Sequence, residues 1–183
     1  MSVQEGQGPS AQKGKLSLLV KELLAALKKT DSFVQWTKVH PAGYLSHFFC
    51  QIDSQGVAKT NWEIGYFEPS SNKITVFVML DNGDAEIKPA DDVFQKEKAA
   101  IEELKVDQVK VSQEQATQAW KDHFPKFFPK EQAGDGFLIL QTLDKNILWN
   151  FTVITKTIKF VNMKINAIDG KIAAHEEISL VQK

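Results

Sequence analysis

Apolar and polar residues alternate along several short runs, and this pattern constrains the fold of the 183-residue chain more than any other. An alternation of period two is typical of β-strands, because successive side chains point to opposite faces of a sheet. In the first half the runs cover residues 44–52, 62–67 and 74–80. They predict an antiparallel meander, followed by a tight turn at Asn82-Gly83 and a short strand that ends before Pro89.

The second half repeats this order of runs. Alternating segments cover residues 137–141, 147–153 and 161–167, and an Asp169-Gly170 turn leads into a last strand at 171–180. Trp149 stands 87 positions after Trp62, and the Asp169-Gly170 turn stands 87 positions after Asn82-Gly83. A tryptophan and an Asx-Gly turn that recur in register, together with the alternation, predict an internal duplication.

Three helices are expected beside these strands. Leucines and valine at helical spacing predict an amphipathic helix over 16–27, and a similar spacing predicts another over 90–104. Ser112 and Gln115 have the spacing of a capping box, so a third helix is expected to begin there and to end at Pro125.

These elements predict an α+β fold made of two tandem units, each a helix packed on an antiparallel sheet. The expected organisation is a disordered tail at 1–14, a first unit at 15–89, a linking helix at 90–108 and a second unit at 109–183. The strands near 44–52 and 137–142 are expected to be sheet edges that are free to bind a partner.

Residues 109–181 resemble the PepSY domain. The resemblance rests on a helix opened by Ser112, a strand tryptophan at Trp149, and the turn Asn166-Ala167-Ile168-Asp169-Gly170-Lys171-Ile172 between the last strands. A weaker copy surrounds Trp62 and Asn82-Gly83. The resemblance implies a PepSY- or cystatin-like topology in each unit, and a non-catalytic role in binding or in the inhibition of peptidases.

Composition excludes several classes of function. The net charge is −1, and all 22 basic residues are lysines, so the chain lacks the arginine forks that read bases and clamp phosphates. No window approaches the length of a membrane span. We therefore expect no nucleic-acid partner and no membrane span. Without a signal sequence the chain as given is expected to be cytoplasmic, or extracytoplasmic if it is part of a longer protein.

The residues that most often perform chemistry are scattered. The four histidines have no metal-ligand spacing, and the one cysteine, Cys50, lies in the middle of a predicted strand. We therefore predict no catalytic residue, no metal site and no cofactor. A hydrolase that uses Cys50 as its nucleophile is kept as a third hypothesis.

The leading hypothesis is a non-catalytic binding or regulatory module with a protein or peptide partner, and a homodimer is one option. Its candidate contact site is Phe124, Phe127 and Phe128, a set of rings between two prolines that is expected either to bind a partner or to cap the core. The alternative is a small-molecule-binding protein with a pocket between helix and sheet, lined by Phe48, Trp62 and Tyr66.

Overall fold

The computed structural model describes residues 19–92 and 100–179, and its strands form one eight-stranded antiparallel sheet. The strands are β1 (Tyr44–Ile52), β2 (Glu63–Glu68), β3 (Lys73–Met79), β4 (Ala85–Asp92), β5 (Ala133–Leu143), β6 (Asn146–Thr155), β7 (Lys159–Asn166) and β8 (Ile172–Ser179). Their order across the sheet is β4-β3-β2-β1-β5-β6-β7-β8.

The prediction of two tandem helix-on-sheet units is wrong. β1 and β5 pair in antiparallel register from His47 opposite Gln141 to Ile52 opposite Gly136, so the strands of both halves belong to a single sheet. The same pairing corrects the expectation that 44–52 and 137–142 are free edges. At an edge, β1 and β5 would each expose a row of unpaired backbone N–H and C=O groups. In this sheet the two rows form hydrogen bonds with each other at the centre.

One face of this sheet carries the helices and the core. Phe77, Ile64, Phe48, Leu140, Trp149 and Ile165 form a row of directly paired residues across six strands, and all six are fully buried. Because cross-strand partners share a face, both halves bury their apolar side chains on the same side. This side is the helix face.

The helices that cover this face are α1 (Leu19–Leu27), α2 (Asp31–Val39) and α3 (Gln113–Phe127). α1 lies within the helix expected at 16–27. α2 was not predicted, although Thr30 caps it by accepting from the N–H of Phe33. The Trp36 ring of α2 packs edge-on against Phe77, at 5.7 Å between ring centroids.

The predicted capping box is confirmed at the start of α3. The Ser112 hydroxyl accepts from the N–H of Gln115, and the Gln115 side chain accepts from the N–H of Ser112. The predicted end at Pro125 is wrong by two residues, since α3 includes Pro125 and ends at Phe127. The Trp120 ring of α3 stacks on Phe151 at 5.5 Å, which fixes α3 over β6.

The linking helix predicted over 90–108 is wrong where the structure describes it. Residues 90–92 belong to β4, 100–105 have no regular secondary structure, and Val106–Gln108 is one 3₁₀ turn. Backbone pairing to β3 and the burial of Leu104 and Val106 outweigh the helical spacing. Residues 93–99 and the predicted tail at 1–14 lie outside the described residues. The predicted domain boundaries, at 15–89 and 109–183, stay a prediction.

The two Asx-Gly turns are confirmed. Gly83 and Gly170 have φ values of 83° and 76°, and they lie between β3 and β4 and between β7 and β8. No helix in the described part of the chain is long and apolar enough to span a membrane.

Candidate binding surface

The second face of the sheet carries none of the three helices, and we refer to it as the helix-free face. A row of directly paired residues runs across it through Val78, Glu63, Phe49, Ile139, Asn150 and Lys164. These residues alternate along their strands with the buried core residues, and so they point away from the helices. An antiparallel sheet with one uncovered face normally carries polar side chains there.

The centre of the helix-free face is apolar instead. Five half-buried side chains lie on β1, β3 and β5, and we call them the apolar patch: Phe49, Val76, Val78, Phe137 and Ile139. Phe49 faces Ile139 directly, and its ring stacks on Phe137 at 5.9 Å between centroids with an interplanar angle of 28°. Stacked rings at the junction of β1 and β5 give the patch a rigid centre.

Charged residues lie within this face as well as toward its sides: Glu63 on β2 stands between Phe49 and Val78, and the exposed Glu86 on β4 lies opposite Val78. Lys88 on β4 forms an ion pair with Glu63 on β2, and Lys164 on β7 lies 3.6 Å from Glu176 on β8. The patch is therefore apolar with one carboxylate inside it, and that carboxylate is neutralised by Lys88.

His47 adds a neutral imidazole beside the apolar patch. Its ring lies over Gly65 on β2, where a Cβ atom would come within 2.1 Å of the ring, and its Nδ1 lies 2.9 Å from the Ser46 hydroxyl. Burial lowers the pKa of His47 to about 4, against a smaller opposite effect of the Glu63 carboxylate. The imidazole is therefore uncharged at neutral pH, and the glycine is needed to make room for it.

The depressed pKa of His47 makes the folded state sensitive to mild acid. His47 binds a proton below pH about 6.5 in the unfolded chain, but only near pH 4 in the folded chain. The stability that the neutral imidazole contributes is therefore fully present above pH 6.5, and it is lost as the pH falls from 6.5 through 4. We expect a loss of about 2 kcal/mol between pH 7 and 5 in urea unfolding. His47→Gln should remove most of this slope, and an unchanged slope would contradict the assignment.

Phe124, Phe127 and Phe128 do not form an exposed contact site. Phe124 and Phe128 are buried in the core, at 7% and 4% exposure, and their rings lie 5.3 Å apart. Phe127 is half-buried, and its ring stacks on His175 of β8 at 4.0 Å. The trio closes the core under the end of α3, so the structure favours the expectation that these rings cap the core and corrects the contact-site hypothesis.

Phe48, Trp62 and Tyr66 do not line one common pocket. Phe48 is fully buried, and the Trp62 ring packs edge-on against it at 6.5 Å, so these two rings fill space in the core. Tyr66 lies apart from them, among Phe33, Trp36 and Phe77, and it lines a cleft between helix and sheet.

Cys50 lacks the properties of a nucleophile. It lies fully buried on the helix face of β1, and burial raises the pKa of its thiol to about 12. A thiolate is the reactive form, and this burial excludes it at neutral pH. Within residues 19–92 and 100–179 no three His, Cys, Asp or Glu side chains come together as metal ligands.

The residues of the apolar patch were not predicted, because the alternation of each run indicates only which positions are buried. The signal was nevertheless present: Phe49, Phe137 and Ile139 are apolar at positions that alternate with the core. A run that is apolar on both faces indicates a strand with both sides at least partly covered.

No protein-family model matches the chain, and no curated protein matches it. A crystal structure of a candidate lipoprotein from Clostridium difficile 630 is similar, with a TM-score of 0.48 and 9% sequence identity, and the match covers 80% of this chain and 90% of that chain. This similarity is too low to assign a fold family or a function.

Proposed function

We propose that the chain is a non-catalytic protein-binding module, that the helix-free face is its binding surface, and that its partner there is a second copy of the chain. The observation that carries the proposal is the apolar patch at the centre of this face, with the Phe49–Phe137 stack in its middle. Aromatic side chains, phenylalanine among them, are enriched at protein interfaces.

The size of the face suits a dimer. The whole face, with eight strands about 4.8 Å apart and about 20 Å long, measures on the order of 800 Å², and residues 100–102 lie on part of it beside His47 and Ile139. A stable interface buries about 800 Å² on each partner. Two sheets that pack face to face at about 10 Å would interdigitate their side chains as the layers of a β-sandwich do.

The charges also favour a second copy over a strongly charged partner. The pairs Lys88–Glu63 and Lys164–Glu176 neutralise each other within the chain, and His47 is uncharged. A partner of high net charge would find little complementary field on this surface. A self-complementary interface needs the same patch on both copies without strong repulsion between them, and the two ion pairs reduce that repulsion.

The test is sedimentation equilibrium of the full chain at concentrations between about 1 and 100 µM, a range that detects dimers with micromolar or tighter dissociation constants. We expect a reversible dimer. The double variant Phe49→Ser with Phe137→Ser removes both anchor rings and should weaken dimerisation on the order of a hundredfold. Val57→Ser is the matched control, because Val57 is 56% exposed and lies outside the patch.

Circular dichroism of each variant reports whether the fold persists. A folded double variant that dimerises as tightly as the wild type would contradict the proposal, as would a wild type that stays monomeric over the whole range. Inhibition of a peptidase, which the PepSY resemblance implies, stays a prediction. A peptidase inhibited equally by the wild type and by the folded double variant would use another surface.

A further inference from the structure

A cleft of about 730 Å³ opens on the helix face, far from the apolar patch. It lies between α1 and α2 on one side and residues 103–108 on the other, over the start of β1 and the middle of β2. Its volume is within the range of small-molecule sites, which run from about 300 to 1,000 Å³.

The lining of the cleft separates into an apolar floor and a charged mouth. Five apolar side chains form the floor: Leu24, Phe33, Leu45, Leu104 and Val106. The charged residues around it are two lysines and two acids: Lys28, Lys105, Glu103 and Asp107. The opposite charges balance, so the cleft does not select an ion of either sign.

Tyr66 is the unusual member of the lining. It is 6% exposed, and its ring is held edge-on by Phe33 at 4.9 Å, Trp36 at 5.5 Å and Phe77 at 5.9 Å. Its hydroxyl makes no hydrogen bond to the described part of the chain. In the same residues only Thr117 Oγ1 and Asn162 Oδ1 are buried, unpartnered and closed off from solvent. The Tyr66 hydroxyl therefore reaches solvent, and the cleft is the opening that Tyr66 lines.

A ligand that fills the cleft removes the Tyr66 hydroxyl from solvent, and this costs free energy unless the ligand supplies a hydrogen-bond partner. Burial raises the pKa of Tyr66 to about 12, so the hydroxyl is protonated at neutral pH and available as a donor. Its natural complement is an acceptor oxygen. A carboxylate would lose its hydration at the apolar floor, whereas a neutral carbonyl would lose little.

We infer that this cleft is a binding site for an uncharged small molecule with an apolar body and a carbonyl oxygen that accepts from Tyr66. The apolar body packs on Leu45, Leu104 and the Phe33 ring, and polar substituents lie at the mouth. This site is separate from the helix-free face and does not depend on self-association.

The probe for this site is prodan, a neutral naphthalene with a ketone, whose fluorescence shifts to the blue in apolar surroundings. We expect it to bind the wild type, and Tyr66→Phe should weaken binding about three- to tenfold by removing one hydrogen bond. The variant keeps the ring packing, so its thermal stability should be unchanged or higher.

Tyr44→Phe is the matched control. Tyr44 also lines the cleft, but its hydroxyl already donates to the Ile101 carbonyl at 2.7 Å, so its removal should leave prodan affinity unchanged. The double variant Phe49→Ser with Phe137→Ser should also bind prodan normally. Equal binding by Tyr66→Phe and the wild type, no binding by the wild type, or loss of binding only in the apolar-patch variant would each overturn the inference.

Discussion

Trp149→Ala should lower the free energy of unfolding by about 3–5 kcal/mol. Trp149 is fully buried at the centre of β6, paired with Leu140 on one side and Ile165 on the other. Its Nε1 donates to the Val111 carbonyl at 2.9 Å, one residue before the cap of α3. The substitution opens a large cavity in the row of core residues and also leaves that carbonyl without its donor. Urea unfolding followed by far-UV circular dichroism measures the loss.

Trp149→Phe separates the two contributions. Phenylalanine keeps much of the buried area but loses the hydrogen bond to Val111, so we expect a loss of about 1–3 kcal/mol. A change below about 1 kcal/mol for Trp149→Ala would mean that this ring does not lie in the core.

Gly136→Ala should be the most damaging single methyl group in the sheet, at about 3 kcal/mol. A Cβ atom at this position of β5 would lie 1.9 Å from the Thr152 carbonyl oxygen and 2.7 Å from the Val153 Cα atom. Both are backbone atoms of β6, so no side-chain rotation relieves the clash and the two strands must separate. Gly136 also lies at one end of the β1–β5 pairing, opposite Ile52, so we expect the damage to extend to the β1–β5 junction.

Gly83→Ala is the matched control. Gly83 has φ +83°, but beyond its two chain neighbours no atom of the described residues lies within 4 Å of the position that an added Cβ would take. The expected cost is therefore that of a left-handed backbone, about 1 kcal/mol. Thermal unfolding of both variants compares crowding with backbone strain. A smaller effect at Gly136 than at Gly83 would contradict the close approach of β5 and β6.

Much of the local structure could be predicted from the sequence, because its causes are local. The alternation in residues 44–52 identifies β1, the Ser112 and Gln115 spacing identifies the start of α3, and Asn82-Gly83 identifies a turn. α2 was missed although Phe33 and Trp36 stand three apart and follow the capping residue Thr30. This signal is short, but it marks the start of α2.

The join between the halves could not be predicted, because no local pattern states which strand a strand will pair with. Phe49 and Ile139 are direct neighbours in the sheet, yet 90 residues separate them, and either strand would look the same at an edge. The residues 90–92 show the reverse failure. They pair with β3 and so belong to β4, although the apolar residues that follow them in the sequence have helical spacing.

The candidate surfaces follow from that same join. Pairing of β1 with β5 places Phe49 beside Phe137 and creates the centre of the apolar patch. The rings of Phe124 and Phe128, at the end of α3, are buried because the helix packs on the sheet there. Tyr66 reaches its cleft only because residues 103–108 return to β1, where the N–H of Leu104 donates to the Leu45 carbonyl at 2.8 Å. None of these long-range contacts has a sequence motif.

The most direct test of the proposed self-association is an isotope-filtered NOE experiment on a mixture of methyl-labelled and unlabelled chains. Only contacts between two copies give signals in such a sample. The proposal predicts NOEs from the methyl groups of Val76, Val78 and Ile139 to aromatic protons of the other copy, which Phe49 and Phe137 supply. NOEs confined to methyl groups outside the patch, such as those of Val57 or Ile158, would contradict it, and so would the absence of any such NOE at millimolar concentration.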